Sequence, residues 1–376
     1  MDKIKKIVEQ LNPVLEKRDS IFPLRDEENT VAMHNILDQL VTLLDERKEP
    51  DWQPDTFSLK SVEMIQDSSV FLCGYMKSGT TLLLALLDGH DELNVMPGDS
   101  FIVNKFSREA ERMNDISWQA WRNNWFKRMI NPTGQKPFWI LGTDLMLYSK
   151  FLQFMDYWYE HLPSTHRRPI LAVVFSFFCA NPHRPLHPKL WVEKTPGNEF
   201  RTEDILTLFP DSKFIHIVRD PRENLASIKR LYTSRSWKWD YREMTKTLSR
   251  SCNMANLNLK QLSKSRYLVI RYEDLIANTN AVMHDIASFL DISWNDCLLK
   301  PTVNSQPAKA NTMYKERQVT GRVRRSAQDK WREELNDIEK RAVLSILPEA
   351  KKVGYTWRMS IRDYLSLLFF RLRNRI

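Results

Sequence analysis

The sequence predicts a three-layer α/β/α fold, a central parallel sheet with helices on both faces, preceded by a helical extension. Three runs of residues carry this expectation. The apolar run VFLCG at 70–74 leads into a short glycine-bounded loop and then into TTLLLALL at 80–87, which has the length and composition of a buried helix. Strand, loop and helix in that order open a parallel sheet, because a parallel partner is reached only through a crossover. The runs FIHIV at 214–218 and YLVIRY at 267–272 are apolar with little alternation, as strands covered on both faces are, and each stops at charged residues, Arg219-Asp220 and Glu273-Asp274.

Residues 1–66 read as an N-terminal helical extension. Met33, Ile36, Leu37, Leu40, Val41 and Leu44 recur at helical spacing, and EPDWQPD at 49–55 is rich in turn formers. The texture changes near Ser69, where the first strand begins. After the 80–87 helix the chain turns at Asp88-Gly89-His90 and reads as a loop from Leu93 to Ser100. ILAVVFSFF at 170–178 fits a strand or a buried helix, a helix begins near Pro221, and 241–264 is helical. Of 41 aromatic residues, 19 fall between 101 and 200, a density that suggests the lining of a pocket. The main domain covers 67–358, and a basic amphipathic tail follows at 359–376, where YLSLLFF precedes Arg371, Arg373 and Arg375. Such a tail suits a helix docked on the domain or one lying on an anionic membrane surface.

Hydrophobic residues at 42% and charged residues at 27% are near the globular average and exclude a disordered, collagenous or fibrous chain. The four cysteines are far apart with no CxxC pair, which suggests neither a disulfide framework nor a zinc site and fits a reducing compartment. No apolar h-region opens the chain and no run of eighteen apolar residues occurs, so the expected location is cytoplasmic, with peripheral membrane contact through the tail. The net charge of 56 − 47 = +9 suits anionic ligands in general and does not single out nucleic acid.

Glycine is scarce. Nine are present, where ordinary usage of roughly 7% would give about 26. Four of the nine, Gly74, Gly79, Gly89 and Gly98, lie within 25 residues of one another. Loops that wrap an anion at a helix N-terminus need such residues, and the nucleotide-triphosphatase version reads GxxxxGK[ST]. Here Gly74, Gly79 and Thr81 keep that spacing, but Thr80 stands where the lysine belongs and the lysine is Lys77, inside the loop. The usual lysine bridges β- and γ-phosphates beside Mg²⁺. No Walker-B aspartate ends an apolar strand; Asp220 is the nearest, between Arg219 and Pro221. This pattern points to an anionic nucleotide with no transferable γ-phosphate.

KSGTT after an apolar strand resembles the 5′-phosphosulfate loop of the sulfotransferases that use 3′-phosphoadenosine 5′-phosphosulfate (PAPS). Three further stretches are similar to that family: Arg219 at a strand end with Ser227 eight residues on, RYEDL at 271–275, and WVEKTP at 191–196, the last as in the protein-tyrosine and bacterial branches. The resemblance runs from about Ser69 to about Trp357 and implies a P-loop nucleotide-hydrolase-like fold, PAPS as sulfuryl donor, and no metal. It implies that Ser78, Gly79, Thr80 and Thr81 receive the 5′ anion, that Arg219 and Ser227 bind the 3′-phosphate, and that Lys77 and Lys194 are the catalytic cations. Tyr272 is expected beside the purine or as a core aromatic. Arg322 and Arg324, in the basic stretch TGRVRR, either close over the 3′-phosphate or are simply solvated. The family's acidic base has its counterpart in Asp99, with His90 the alternative; the lysine-to-histidine arrangement of the phenol branch has none. The expected reaction is sulfuryl transfer to the hydroxyl of a lipid, carbohydrate or other small molecule. A nucleotide kinase with a degenerate phosphate loop and a non-catalytic basic module are the competing readings.

Overall fold

The computed structural model describes residues 6–7, 27–47, 49, 51–103, 117–130, 140–142, 144–308, 323, 330–357 and 361. Five parallel strands make one sheet in the order β2-β3-β1-β4-β5: β1 Ser69–Cys73, β2 Leu93–Val95, β3 Leu190–Lys194, β4 Lys213–Val218 and β5 Tyr267–Arg271. Two of these go beyond the sequence reading. β2 lies in what reads as a loop, and is only three residues long. β3 coincides with the WVEKTP motif, where Glu193 and Lys194 mask the apolar character of the strand.

Strand alternation sorts the residues between two cores. Val70 and Leu72 of β1, Val192 of β3 and Ile215 and Ile217 of β4 face one way, against α3 (Thr80–Leu87) and, farther along the chain, the helix Thr279–Leu290. Phe71, Trp191 and Phe214 face the other way and pack across three neighbouring strands, Phe71 edge-to-face with Trp191 at a centroid distance of 5.4 Å and stacked on Phe214 at 5.9 Å. That second face is covered by α1 (Glu27–Asp45), α2 (Thr56–Ile65), α4 (Trp118–Ile130), α5 (Leu145–His161) and α6 (Arg168–Ala180). Leu40, Leu44 and Ile65 of the first two helices share this core with the sheet.

The 170–178 run is therefore helix. Pro169 opens its first turn, and every residue from Pro169 to Ala180 is buried against α5 and the sheet, so it is apolar all round. The aromatic-dense segment has the same explanation, and the expectation of a pocket lining is corrected: Trp121, Trp125, Phe126, Phe151, Phe154 and Phe175 are fully buried in the core.

α7 (Thr202–Leu208), α8 (Pro221–Ser234) and α9 (Tyr241–Gln261) follow β3 and β4, and α10 (Tyr272–Ala277) follows β5 directly. Short helices between Trp331 and Lys352 pack on α8 and α9. No described helix is long and apolar enough to cross a membrane. The chain builds β2 and β3 on one side of β1 and then crosses to the other side for β4 and β5. Outside the carboxyl ends of the strands, at such a reversal, α/β sheets hold their ligands.

Candidate active site

At the carboxyl end of β1 the backbone bends in a way only glycine permits. Gly74 has φ +145° and Gly79 φ +114°. A Cβ on Gly74 would sit 2.6 Å from the Ile217 carbonyl oxygen, and one on Gly79 2.5 Å from Cδ2 of Tyr272. Gly79 is the N-cap of α3 and brings no side chain to its first turn, leaving the helix N-terminus open to an anion. Ser78 Oγ is buried with no hydrogen-bond partner among the described residues, a donor suited to an oxyanion. Lys77 holds a left-handed backbone, φ 67°, unusual for a side-chain-bearing residue. Burial pulls its pKa down to about 7, and the neighbouring charges of Arg219, Arg230 and Lys194 add to the effect. Cations packed this closely favour a polyanion among them.

The loop is tied from below. Gly74 N–H donates to Glu199 Oε2 at 3.2 Å, and Ser251 Oγ donates to Glu199 Oε1 at 2.6 Å. The Glu199 side chain is fully buried.

Arg219 leaves β4 beside the loop. Its Nη1 donates to the Lys77 carbonyl at 3.1 Å, its guanidinium lies 4.8 Å from the Tyr272 ring centroid, and its Nε is buried without a partner among the described residues. Asp220 does not pair with it: that carboxylate caps α8 through Arg222 N–H at 2.9 Å and holds the Arg222 guanidinium at 2.6 Å. Ser227 is buried on the second turn of α8. Tyr272 opens α10, half-buried, with its ring against Gly79 and Arg219.

On the other flank, Lys194 ends β3 with its side chain 6% exposed, which rules out a solvated lysine. Its Nζ forms a close ion pair with Asp99 Oδ1 and donates to Thr81 Oγ1 at 3.3 Å. Asp99 sits on a segment held to β3 by backbone bonds, Met96 N–H to the Val192 carbonyl at 3.0 Å and Ser100 N–H to the Lys194 carbonyl at 3.3 Å. Trp125 Nε1 donates to the Ser100 carbonyl at 3.1 Å. Thr80 is buried at the start of α3.

His90 is bonded into the fold through both ring nitrogens. Its Nδ1 accepts from Glu92 N–H at 3.1 Å and its Nε2 bonds the Ser293 carbonyl at 2.8 Å, so both nitrogens serve the fold. It also lies beyond the far end of α3, an eight-residue helix that spans roughly 12 Å. Arg322 and Arg324 lie outside the described residues. The structure thus gathers Lys77, Ser78, Gly79, Thr80, Thr81, Asp99, Lys194, Arg219 and Tyr272 at one crevice. Sequence reasoning missed the buried carboxylates beneath it, Glu193 and Glu199. The available signal was an acid inside or just after an apolar strand.

The profile of the sulfotransferase family matches residues 69–296, a span that takes in the glycine loop, Asp99, Lys194, Arg219 and Tyr272. The chain belongs to the sulfotransferase family. It is 24% identical over 293 residues to protein-tyrosine sulfotransferase 2 of Gallus gallus, covering 76% of this chain and 69% of that protein. It is 22% identical over 314 residues to a protein-tyrosine sulfotransferase of Drosophila melanogaster, covering 78% of this chain and 53% of the relative. The sulfotransferase domain from the Synechococcus PCC 7002 olefin synthase has the same fold, with a TM-score of 0.52 and 17% identity over 82% of this chain and all of that domain. The protein is a sulfotransferase enzyme with a central parallel five-stranded sheet.

Proposed function

We propose that the enzyme moves the sulfuryl group of PAPS to an acceptor hydroxyl by in-line displacement, with Asp99 as general base and Lys77 and Lys194 as the cations. The observation that carries this reading is the cluster at the start of α3: the Lys194 ammonium touches both Asp99 and Thr81 at the mouth of the glycine loop. A base, a cation and an anion cradle thereby meet at one point.

The residues present fit a 3′-phosphoadenosine nucleotide. The open helix start, the partnerless Ser78 Oγ and the hydroxyls of Thr80 and Thr81 suit a 5′ anion. Arg219, whose Nε has no partner among the described residues, suits the 3′-phosphate, with the Ser227 hydroxyl as a neutral second donor and the Tyr272 ring beside the guanidinium. PAPS supplies an activated sulfuryl group whose bond to the nucleotide oxygen breaks as the acceptor oxygen bonds to sulfur. Asp99 accepts the hydroxyl proton, and the ion pair with Lys194 holds its carboxylate at the mouth of the loop. Lys77, carried on a strained backbone that fixes its direction, places positive charge where negative charge develops.

The acceptor is a hydroxyl of a lipid, carbohydrate or other small molecule. The relatives' names support a second reading, the phenol of a peptide tyrosine. Labelled PAPS offered with p-nitrophenol, a tyrosine peptide, a galactoside and cholesterol tests both. Label is expected on at least one of the four, and Asp99→Asn is expected to slow that transfer by about 100-fold or more. Full activity in Asp99→Asn would remove the base assignment.

A further inference from the structure

Asp99 and Lys194 sit on different segments that two backbone bonds hold side by side. The residue next to Lys194 adds side-chain ties between them. Successive side chains of a strand point to opposite faces, so Glu193 is directed away from the crevice, into the core, where it is fully buried. Its Oε1 accepts from Ser100 Oγ at 2.5 Å and from Thr195 Oγ1, and its Oε2 accepts from Asn198 Nδ2 at 2.7 Å. Each of these donors belongs to a different part of the site. Ser100 follows Asp99. Thr195 follows Lys194, and its Oγ1 also accepts from Phe101 N–H at 2.8 Å, a second tie to the Asp99 segment. Asn198 Nδ2 donates as well to the Leu72 carbonyl at 3.1 Å, at the end of β1 just before the glycine loop.

We infer that Glu193 is a positioning residue for sulfuryl transfer, clamping the Asp99 segment, the end of β3 and the end of β1 into one geometry. This inference rests on the assignment of Asp99 as base. A buried carboxylate is costly unless its oxygens are fully occupied by donors, and a network in which every member is satisfied is rigid. Burial pushes the Glu193 pKa up, while Ser100, Thr195 and Asn198 oppose that shift by bonding the charged form. The three bonds reach the site from its core side and none of them reaches Arg219 or Tyr272, so the clamp is expected to govern turnover far more than nucleotide affinity.

Glu193→Gln tests this, because the amide keeps one acceptor oxygen and cannot accept from Asn198 Nδ2 and from the Ser100 and Thr195 hydroxyls at once. The readouts are kcat on the fastest of the four named acceptors, PAPS hydrolysis by water as an acceptor-free rate, and calorimetric affinity for adenosine 3′,5′-bisphosphate. The expected result is a fall in kcat of about 10- to 100-fold, with bisphosphate affinity within about twofold. In the double variant with Asp99→Asn, little further loss is expected, because residues acting as one unit are not additive. Unchanged kcat and hydrolysis, a parallel loss of bisphosphate affinity, or losses that multiply in the double variant would each overturn the inference. Should Glu193→Gln fail to fold, Ser100→Ala and Thr195→Val, which remove one bond each, carry the same expectations. Full activity in Asp99→Asn alone would instead overturn the base assignment, so the two failures are distinct.

Discussion

Lys77 is the residue whose chemistry is most exposed to test. A lysine titrating near 7 in the free enzyme gains charge when a polyanion binds, because the anion favours the ammonium form. Its pKa is then higher in the complex than in the free protein. Affinity for adenosine 3′,5′-bisphosphate is therefore fully present below about pH 7 and declines as pH rises through that value toward the pKa of the complex. Titration calorimetry at pH 8.5 in buffers of differing ionisation enthalpy is expected to show uptake of close to one proton per nucleotide, roughly the full linkage of one group. In Lys77→Ala the uptake disappears. At this scale type and spacing pointed to Lys77, Arg219 and Tyr272, which the structure brings to one crevice. Asp99 was legible only as one of two choices. What separated it from His90 was the pairing of both imidazole nitrogens with Ser293 and Glu92, contacts that no local pattern announces.

Among the elements, the glycine loop is the least tolerant. In Gly79→Ala the new methyl meets the Tyr272 ring and takes a φ of +114°, a combination of strain and overlap expected to cost about 1–3 kcal/mol. Differential scanning calorimetry measures that loss. Because the displaced Tyr272 ring also packs against Arg219, bisphosphate affinity is expected to fall about tenfold or more, beyond what lost stability explains. β1, α3, β4 and β5 could be read in advance because each is a continuous run with a clean stop, and α8 only by its start at Pro221. β3 could not, since it carries Glu193 and Lys194 side by side, and charges inside a strand make sense only once Ser100, Thr195 and Asn198 are seen around Glu193. The helix Arg168–Ala180 was ambiguous for the opposite reason: a run apolar on all sides has no period to read.

At the scale of the molecule, the helices at 27–65 are built into the core rather than appended to it. Leu40 is fully buried among residues that also surround Phe71 and Trp191. Leu40→Ala is expected to destabilise the α/β body by about 2–5 kcal/mol, visible as one shifted transition in chemical denaturation; a separate early transition would show two independent units. The density of aromatic residues at 101–200 misled for a related reason. Composition reports that large rings are present, and only packing shows that they fill one face of the sheet. The positive charge, modest as a total of +9, becomes meaningful when Lys77, Lys194 and Arg219 converge on one crevice. The most direct test of the central claim is calorimetric titration of the full chain with adenosine 3′,5′-bisphosphate in the presence of EDTA. The account predicts saturable metal-independent binding that Arg219→Ala weakens by about 10- to 100-fold, the range expected for charge-assisted hydrogen bonds. Absence of binding, or binding that requires Mg²⁺ and prefers ATP, would contradict it.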